Sequence, residues 1–263
     1  MDARMDRAEW LWWVAAAAFL ALFIVTLGIQ LFDKRVLAGE SIWAKPLKFY
    51  LGLALHFATL ALTASVLGAP ARASTVLLAM AVASVASAAF EMAYMVWQAA
   101  RQEASHFNLS TPLYARMYAL MALGAVVITL AAGVVGVFAW FDAEARAGPA
   151  LRTAIALGLV GGTVLTLVTA FRMGGAMTHH VGVEAAGAAR YPLTGWSRTV
   201  GDLRVPHFFA THMMQAVPVA GLVFERLAPG PASLALVWAF AALWTAITLL
   251  VFMRTLAGHP FPA

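Results

Sequence analysis

The sequence predicts an all-α polytopic membrane protein, a bundle of seven transmembrane helices that makes a single membrane domain over residues 1–263. Three observations predict it. The chain is 63% hydrophobic and 11% charged, with a mean hydropathy of +0.83, a balance that suits lipid rather than water as solvent. Its apolar residues gather in runs of about 20, the length needed to cross about 30 Å of hydrocarbon at about 1.5 Å per helical residue. The stretches between runs are short, so the spans consume most of the 263 residues and leave almost nothing for an extramembrane domain.

The runs lie at roughly 10–32, 47–69, 75–99, 112–141, 152–175, 206–227 and 232–256. The first is too long for a signal-peptide core and lacks a small-residue cleavage site, so it reads as an uncleaved anchor, with Trp10, Trp12 and Trp13 as an interfacial belt. The second opens beside Pro46, the fourth at Pro112 and the sixth at Pro206, positions where a missing N–H costs nothing, and Ser110 or Thr111 can cap the fourth. The fifth carries Gly158-x-x-x-Gly162, read as ordinary close helix packing. Pro218 should kink the sixth. An odd number of spans puts the termini on opposite sides. Arg4, Arg7, Arg72, Arg146, Arg152 and Arg226 fall on the N-terminal side and eleven basic residues on the other. The positive-inside rule therefore places the C-terminus and the 33–46, 100–111 and 176–205 loops in the cytoplasm, with the N-terminus outside.

Composition also excludes chemistry. Without a cysteine the chain has no thiol relay, thiolate-ligated haem, iron–sulfur cluster or cysteine zinc site. The net charge of +5 does not signal nucleic acid, because 14 of the 17 basic residues are arginines scattered through loops. No internal repeat or matched pair of interrupted helices marks an inverted-repeat transporter. The three lysines, at 34, 45 and 48, leave none in the last span for a retinal Schiff base. The methionines flanking the histidines read as core filling rather than as copper ligands.

The third run carries the strongest polar signal. Ser84, Ser87, Glu91, Tyr94 and Gln98 recur at three- and four-residue spacing and so share one helix face. Such a face inside a membrane must meet protein or water, and an ionised acid near mid-bilayer costs about 2.5–3.5 kcal/mol. The bland alternative is a Glu that bonds a neighbouring helix. Gly52, His56, Thr59 and Thr63 make a weaker face on the second run, and His207, Thr211 and Gln215 one on the sixth. His212 lies about 140° around from His207, so the pair does not chelate as histidines at i and i+4 do. The 100–111 loop adds Ser105-His106-Phe107-Asn108, the first loop Trp43, Lys45, Pro46 and Lys48, and the fifth run Arg172 near its end. These residues map to one half of the membrane, which predicts a polar cavity open to one side and rimmed by Lys48, Asp202 and Arg204.

Trp43-Ala44-Lys45-Pro46-Leu47-Lys48-Phe49, Ser105-His106-Phe107-Asn108 and Gly201-Asp202-Leu203-Arg204 continuing to His207, His212 and Gln215 resemble a family of uncharacterised bacterial polytopic membrane proteins. Its pattern runs K-P-x-K-F, an intramembrane Glu followed by Q, S-H-F-N, then G-D-L-R-x-x-H-F-x-x-x-H-x-x-Q. The resemblance covers most of the chain and implies a bacterial cytoplasmic (inner) membrane protein. It points to Lys45, Lys48, Glu91, Gln98, His106, Asp202, Arg204, His207, His212 and Gln215; His56 lies outside the pattern. It supplies no activity.

The leading expectation is a membrane cofactor protein. Two or three of His56, His106, His207 and His212 would ligate haem b or a non-haem transition metal, with Lys48, Arg172, Asp202 and Arg204 holding the cofactor's anionic groups. Glu91, Tyr94, Gln98 and Gln215 would carry the chemistry. The reaction would be redox on a lipid-soluble partner such as a quinone, or metal-dependent lipid hydrolysis with Glu91 as general base. Its partners would be membrane lipid and a redox protein, and not nucleic acid. The alternative is a proton-coupled transporter or channel for a small solute with Glu91 and His212 as its relay. A third is a ligand-binding sensor or assembly factor.

Overall fold

The computed structural model describes residues 6–261; Arg4, counted above for orientation, lies outside them. The described chain is helical: α1 (Arg7–Phe32), α2 (Ala44–Ser65), α3 (Ala69–Arg72), α4 (Thr75–Ala100), α5 (Pro112–Phe141), α6 (Pro149–Ala176), α7 (Arg204–Leu227) and α8 (Pro231–Leu256). Two short antiparallel pairs sit in its loops, β1 (Val36–Leu37) with β2 (Glu40–Ser41), and β3 (His180–Val181) with β4 (Gly201–Asp202). Each predicted run is a helix. Six of them, α1, α2, α4, α5, α6 and α8, are long and apolar enough to cross a membrane. The α7 helix is 24 residues long, but His207, Thr211, His212 and Gln215 lower its hydropathy and keep it out of that set.

Helix boundaries follow capping chemistry. The second predicted run stops at Ser65, four residues early, because Gly68 and Pro70 begin the separate turn α3. Thr111, not Ser110, caps α5: its Oγ1 accepts from Tyr114 N at 3.1 Å. Glu225 performs a similar service for α6 from a distance, its Oε2 accepting from Leu151 N at 2.7 Å. Proline opens α5, α6 and α8 in the first turn.

The helices form two compact units. The first holds the described residues through Val135 with Asp142–Arg146. In it α1 packs along α2 and α4, with Phe57, Leu60, Leu77 and Met95 fully buried. Of the predicted aromatic belt, Trp10 is exposed, but Trp12 is wholly buried and its indole N–H donates to Ser84 Oγ at 3.3 Å. Burial became affordable for that indole because its polar atom found a partner on α4.

The second unit holds Gly136–Phe141 and the chain from Ala147. Here α7 lies between α6 and α8, packing most extensively on α6. The two glycines of the fifth run make that approach: a Cβ on Gly158 would stand 2.7 Å from Pro218 Cδ, and one on Gly162 2.6 Å from Met214 Cγ. The other flank is apolar, with Met213, Val217, Val237 and Ala241 in one cluster.

Candidate functional site

The predicted residues divide between the units. In the first, Glu91, Tyr94 and Gln98 are buried along one face of α4, at 4%, 5% and 0% exposure. Glu91 Oε1, Tyr94 OH and Gln98 Oε1 have no hydrogen-bond partner. The Glu91 carboxyl faces α5 where that helix has Gly124, whose Cβ, if present, would lie 2.9 Å from Glu91 Oε1 and 3.5 Å from Ser87 Cβ. One turn further along α5, Ile128 O lies 3.2 Å from His56 Nε2. A carbonyl only accepts, so Nε2 carries the proton and Nδ1 is the basic nitrogen of His56. Three hydroxyls on these faces are engaged. Ser84 bonds Trp12 and Ala81 O, while Thr59 and Thr63 turn back to Leu55 O and Thr59 O.

Two segments singled out in the sequence meet at the end of this unit that holds the 100–111 loop. His106 packs its ring against Phe49 and Tyr118, 5.8 and 6.1 Å between centroids, and Lys45 Nζ lies 5.9 Å from the Phe49 ring centre. His106 Nδ1 is 3.1 Å from Ser105 Oγ. Burial, and then the charge of Lys45, push its pKa down to about 3, so the ring is neutral at pH 7. Lys48 stands apart, exposed and paired with Glu40 at 3.5 Å.

In the second unit Asp202 is completely buried and Arg204 grips it with Nε at 2.9 Å and Nη2 at 2.6 Å, while Ser197 N donates at 2.9 Å. Burial alone would raise this carboxyl; the hydrogen bonds and charge of Arg204 outweigh it and hold the pKa below the usual value. Arg204 also donates to Gly195 O, so it is locked into the loop rather than left free for an anionic group. Arg172 is exposed on α6.

On α7, His207 Nδ1 is 3.0 Å from Thr169 Oγ1, and His212 Nδ1 is 3.1 Å from Gln215 Oε1. The Thr169 hydroxyl proton goes to Leu165 O or Thr166 O, so the hydroxyl accepts from His207. In both rings Nδ1 then bears the proton and Nε2 the lone pair. Thr166 and Thr211 meet at 3.3 Å, which completes a polar seam between α6 and α7.

A neighbouring group was missed in the sequence: His179, His180, Glu184 and Arg190. His180 Nε2 lies 3.6 Å from Glu184 Oε2 and 4.0 Å from Asp202 Oδ2, and Arg190 Nη2 pairs with Glu184 at 2.6 Å. The adjacent histidines in a loop of small residues were the available signal; the ladder that pairs His180 with Asp202 was not. Among the described residues no three His, Asp or Glu side chains converge as a metal ion requires. Each of the four predicted metal histidines is held by a different neighbour: Ile128, Ser105, Thr169 and Gln215.

Comparison of the chain with protein-family models, with curated proteins and with solved structures finds no match.

Proposed function

We propose that the protein is a proton-coupled membrane carrier or channel for a small solute, with Glu91 as the group that takes up and releases the proton. One observation carries this reading: Glu91 is buried within an apolar helix, its Oε1 has no hydrogen-bond partner, and α5 has a glycine where the carboxyl stands. A carboxyl that served as packing glue would use both oxygens on its neighbours, because an unmade bond to a buried polar atom costs about 1–3 kcal/mol. Holding a buried carboxyl oxygen unpaired is the arrangement of a residue that exchanges its proton.

In this reading α7 is a seventh span. Its 24 residues reach about 36 Å at about 1.5 Å per residue. Thr166 and Thr169 on α6 bond Thr211 and His207, and His212 bonds Gln215 within α7, so the polar side chains that lower its hydropathy are paired. The resemblance supports a bacterial cytoplasmic membrane, and the arginine bias supports a cytoplasmic C-terminus.

Proteoliposomes with an interior pH dye, challenged with a panel of small solutes under a membrane potential, test the proposal. At least one solute should drive acidification that Glu91→Gln abolishes without loss of insertion. Acidification unchanged in that variant, or none with any solute, overturns it.

A second reading is favoured by the two α7 imidazoles. With Nδ1 of His207 and of His212 each held by an acceptor, Nε2 keeps its lone pair, the orientation that a hydrogen bond at the other ring nitrogen gives a metal-bound histidine. The protein would then carry haem b or a non-haem metal and act on a quinone or another lipid-soluble partner. Purified protein should show a Soret band that shifts on reduction, or a stoichiometric metal; absence of both ends this reading.

A further inference from the structure

Among the described residues, three buried side-chain oxygens on one face of α4 lack a hydrogen-bond partner: Glu91 Oε1, Tyr94 OH and Gln98 Oε1. Their spacing of three and then four residues keeps them in line, and from first to last they extend about 10 Å along the axis at about 1.5 Å per residue. Each belongs to a side chain at least 95% buried. Three independent packing failures would not align on one helix face and lead from a membrane carboxyl to a loop. Buried polar atoms without protein partners are instead the usual hosts of ordered water, which typically makes about three hydrogen bonds to such groups.

The far end of the line reaches the 100–111 loop. Gln98 Nε2 donates to Ala104 O at 3.2 Å, and Gln98 O accepts from Glu103 N at 2.9 Å. Glu103, only partly buried, adjoins this end of the line through that backbone bond to Gln98. On the α5 side, the residue that faces Glu91 is Gly124, which offers no side chain.

We propose that a file of ordered water runs along the Glu91–Tyr94–Gln98 face of α4 and carries protons between Glu91 and the 100–111 loop. The proposal rests on the reading of Glu91 as the proton-exchanging group. A proton enters from water at the loop beside Glu103, passes by exchange of O–H bonds along the file, and ends on a Glu91 carboxylate oxygen; release reverses each step. No heavy-atom bond changes and no redox partner is required. Tyr94 and Gln98 act as positioning residues that fix the water through their free oxygens.

The test is infrared spectroscopy of the full chain in lipid nanodiscs, reading the carbonyl stretch of the protonated Glu91 carboxyl, assigned by its loss in Glu91→Gln. On mixing with deuterated water the band should shift at once in the wild type. Tyr94→Phe removes a single hydroxyl, and Gln98→Leu the amide; each should slow exchange by about tenfold or more, the consequence of losing one hydrogen-bonded station. Gln98→Glu, which keeps an oxygen in place, should restore fast exchange. Wild-type rates in both Tyr94→Phe and Gln98→Leu overturn the file and leave the proton-coupled function standing. A wild-type protein without the band overturns both. Acidification insensitive to Glu91→Gln, with exchange slowed as described, removes the transport reading and keeps the water file.

Discussion

Gly124 and Glu91 are matched across the α4–α5 contact: a single β-carbon on Gly124 would stand 2.9 Å from the Glu91 carboxyl oxygen. Gly124→Ala must therefore displace the carboxyl, although alanine is ordinarily better than glycine in a helix by about 1 kcal/mol. The expected outcome is loss of Glu91-dependent acidification with little change in stability, because the atom met is the end of a flexible side chain and the other contacts are ordinary. Gly52→Ala, at a helical site with nothing within 4 Å, should leave both properties intact. Equal behaviour of the two variants in liposome flux would show that Gly124 has no role in seating Glu91.

The α6–α7 seam should be sensitive to bulk. Gly158→Val and Gly162→Val each force a side chain into contacts already closer than 3 Å at the β-carbon, against Pro218 and Met214. Each should lower the unfolding temperature in detergent, Gly158→Val the more, because the proline ring cannot swing away as the methionine can. The same substitution at Gly175, where nothing lies within 4 Å, is the comparison that shows whether packing is the cause.

Asp202 depends on Arg204. Arg204→Gln leaves a fully buried carboxylate without its bidentate partner and should cost about 3 kcal/mol, whereas Asp202→Asn with Arg204→Gln should cost less than Arg204→Gln alone. Arg204→Lys keeps the charge but not the fork and should fall between. A thermal-unfolding double-mutant cycle measures this; strictly additive effects would contradict it.

Acid should destabilise the loops before it titrates their carboxylates. His106 and His179 have pKa values pushed down from 6.5 to about 3 and about 4, by burial first and then by Lys45 at His106 and by Arg204 and His180 at His179. The unfolded chain gains these protons near pH 6.5 and the folded chain only much lower, so their contribution is complete above about pH 6.5 and declines as pH falls toward the folded values. Asp202 and Glu184 are held below their ordinary values of 3.8 and 4.5, so they add to the loss only at lower pH. The unfolding temperature should drop between about pH 6.5 and 4.5, and His106→Asn should flatten that slope. A profile unchanged by the substitution would place the acid sensitivity elsewhere.

Much of the fold was legible before any coordinates. The α5 boundaries were read without error, and α1, α4, α6, α7 and α8 to within three residues, because hydropathy and proline placement act on a single segment. The polar face of α4 was legible for the same reason: three- and four-residue spacing fixes which side chains share a helix face. Spacing did not reveal which members were engaged. Ser84 and Glu91 looked alike in the stripe, yet Ser84 bonds the Trp12 indole while Glu91 Oε1 is left without a partner. Trp12 itself looked interfacial beside Trp10, and only its contact with α4 buried it.

Periodicity, charge and turn chemistry thus established the helices, their ends and the candidate side chains, since each is a property of residues near one another in the chain. The partners came from folding: Thr169 for His207, Gly124 for Glu91, and the β3–β4 ladder that brings His180 to Asp202 across more than twenty residues. Hydropathy belongs to a segment and can be read along it. The satisfaction of a buried hydrogen bond belongs to a pair, and it exists only once two distant segments have been packed together.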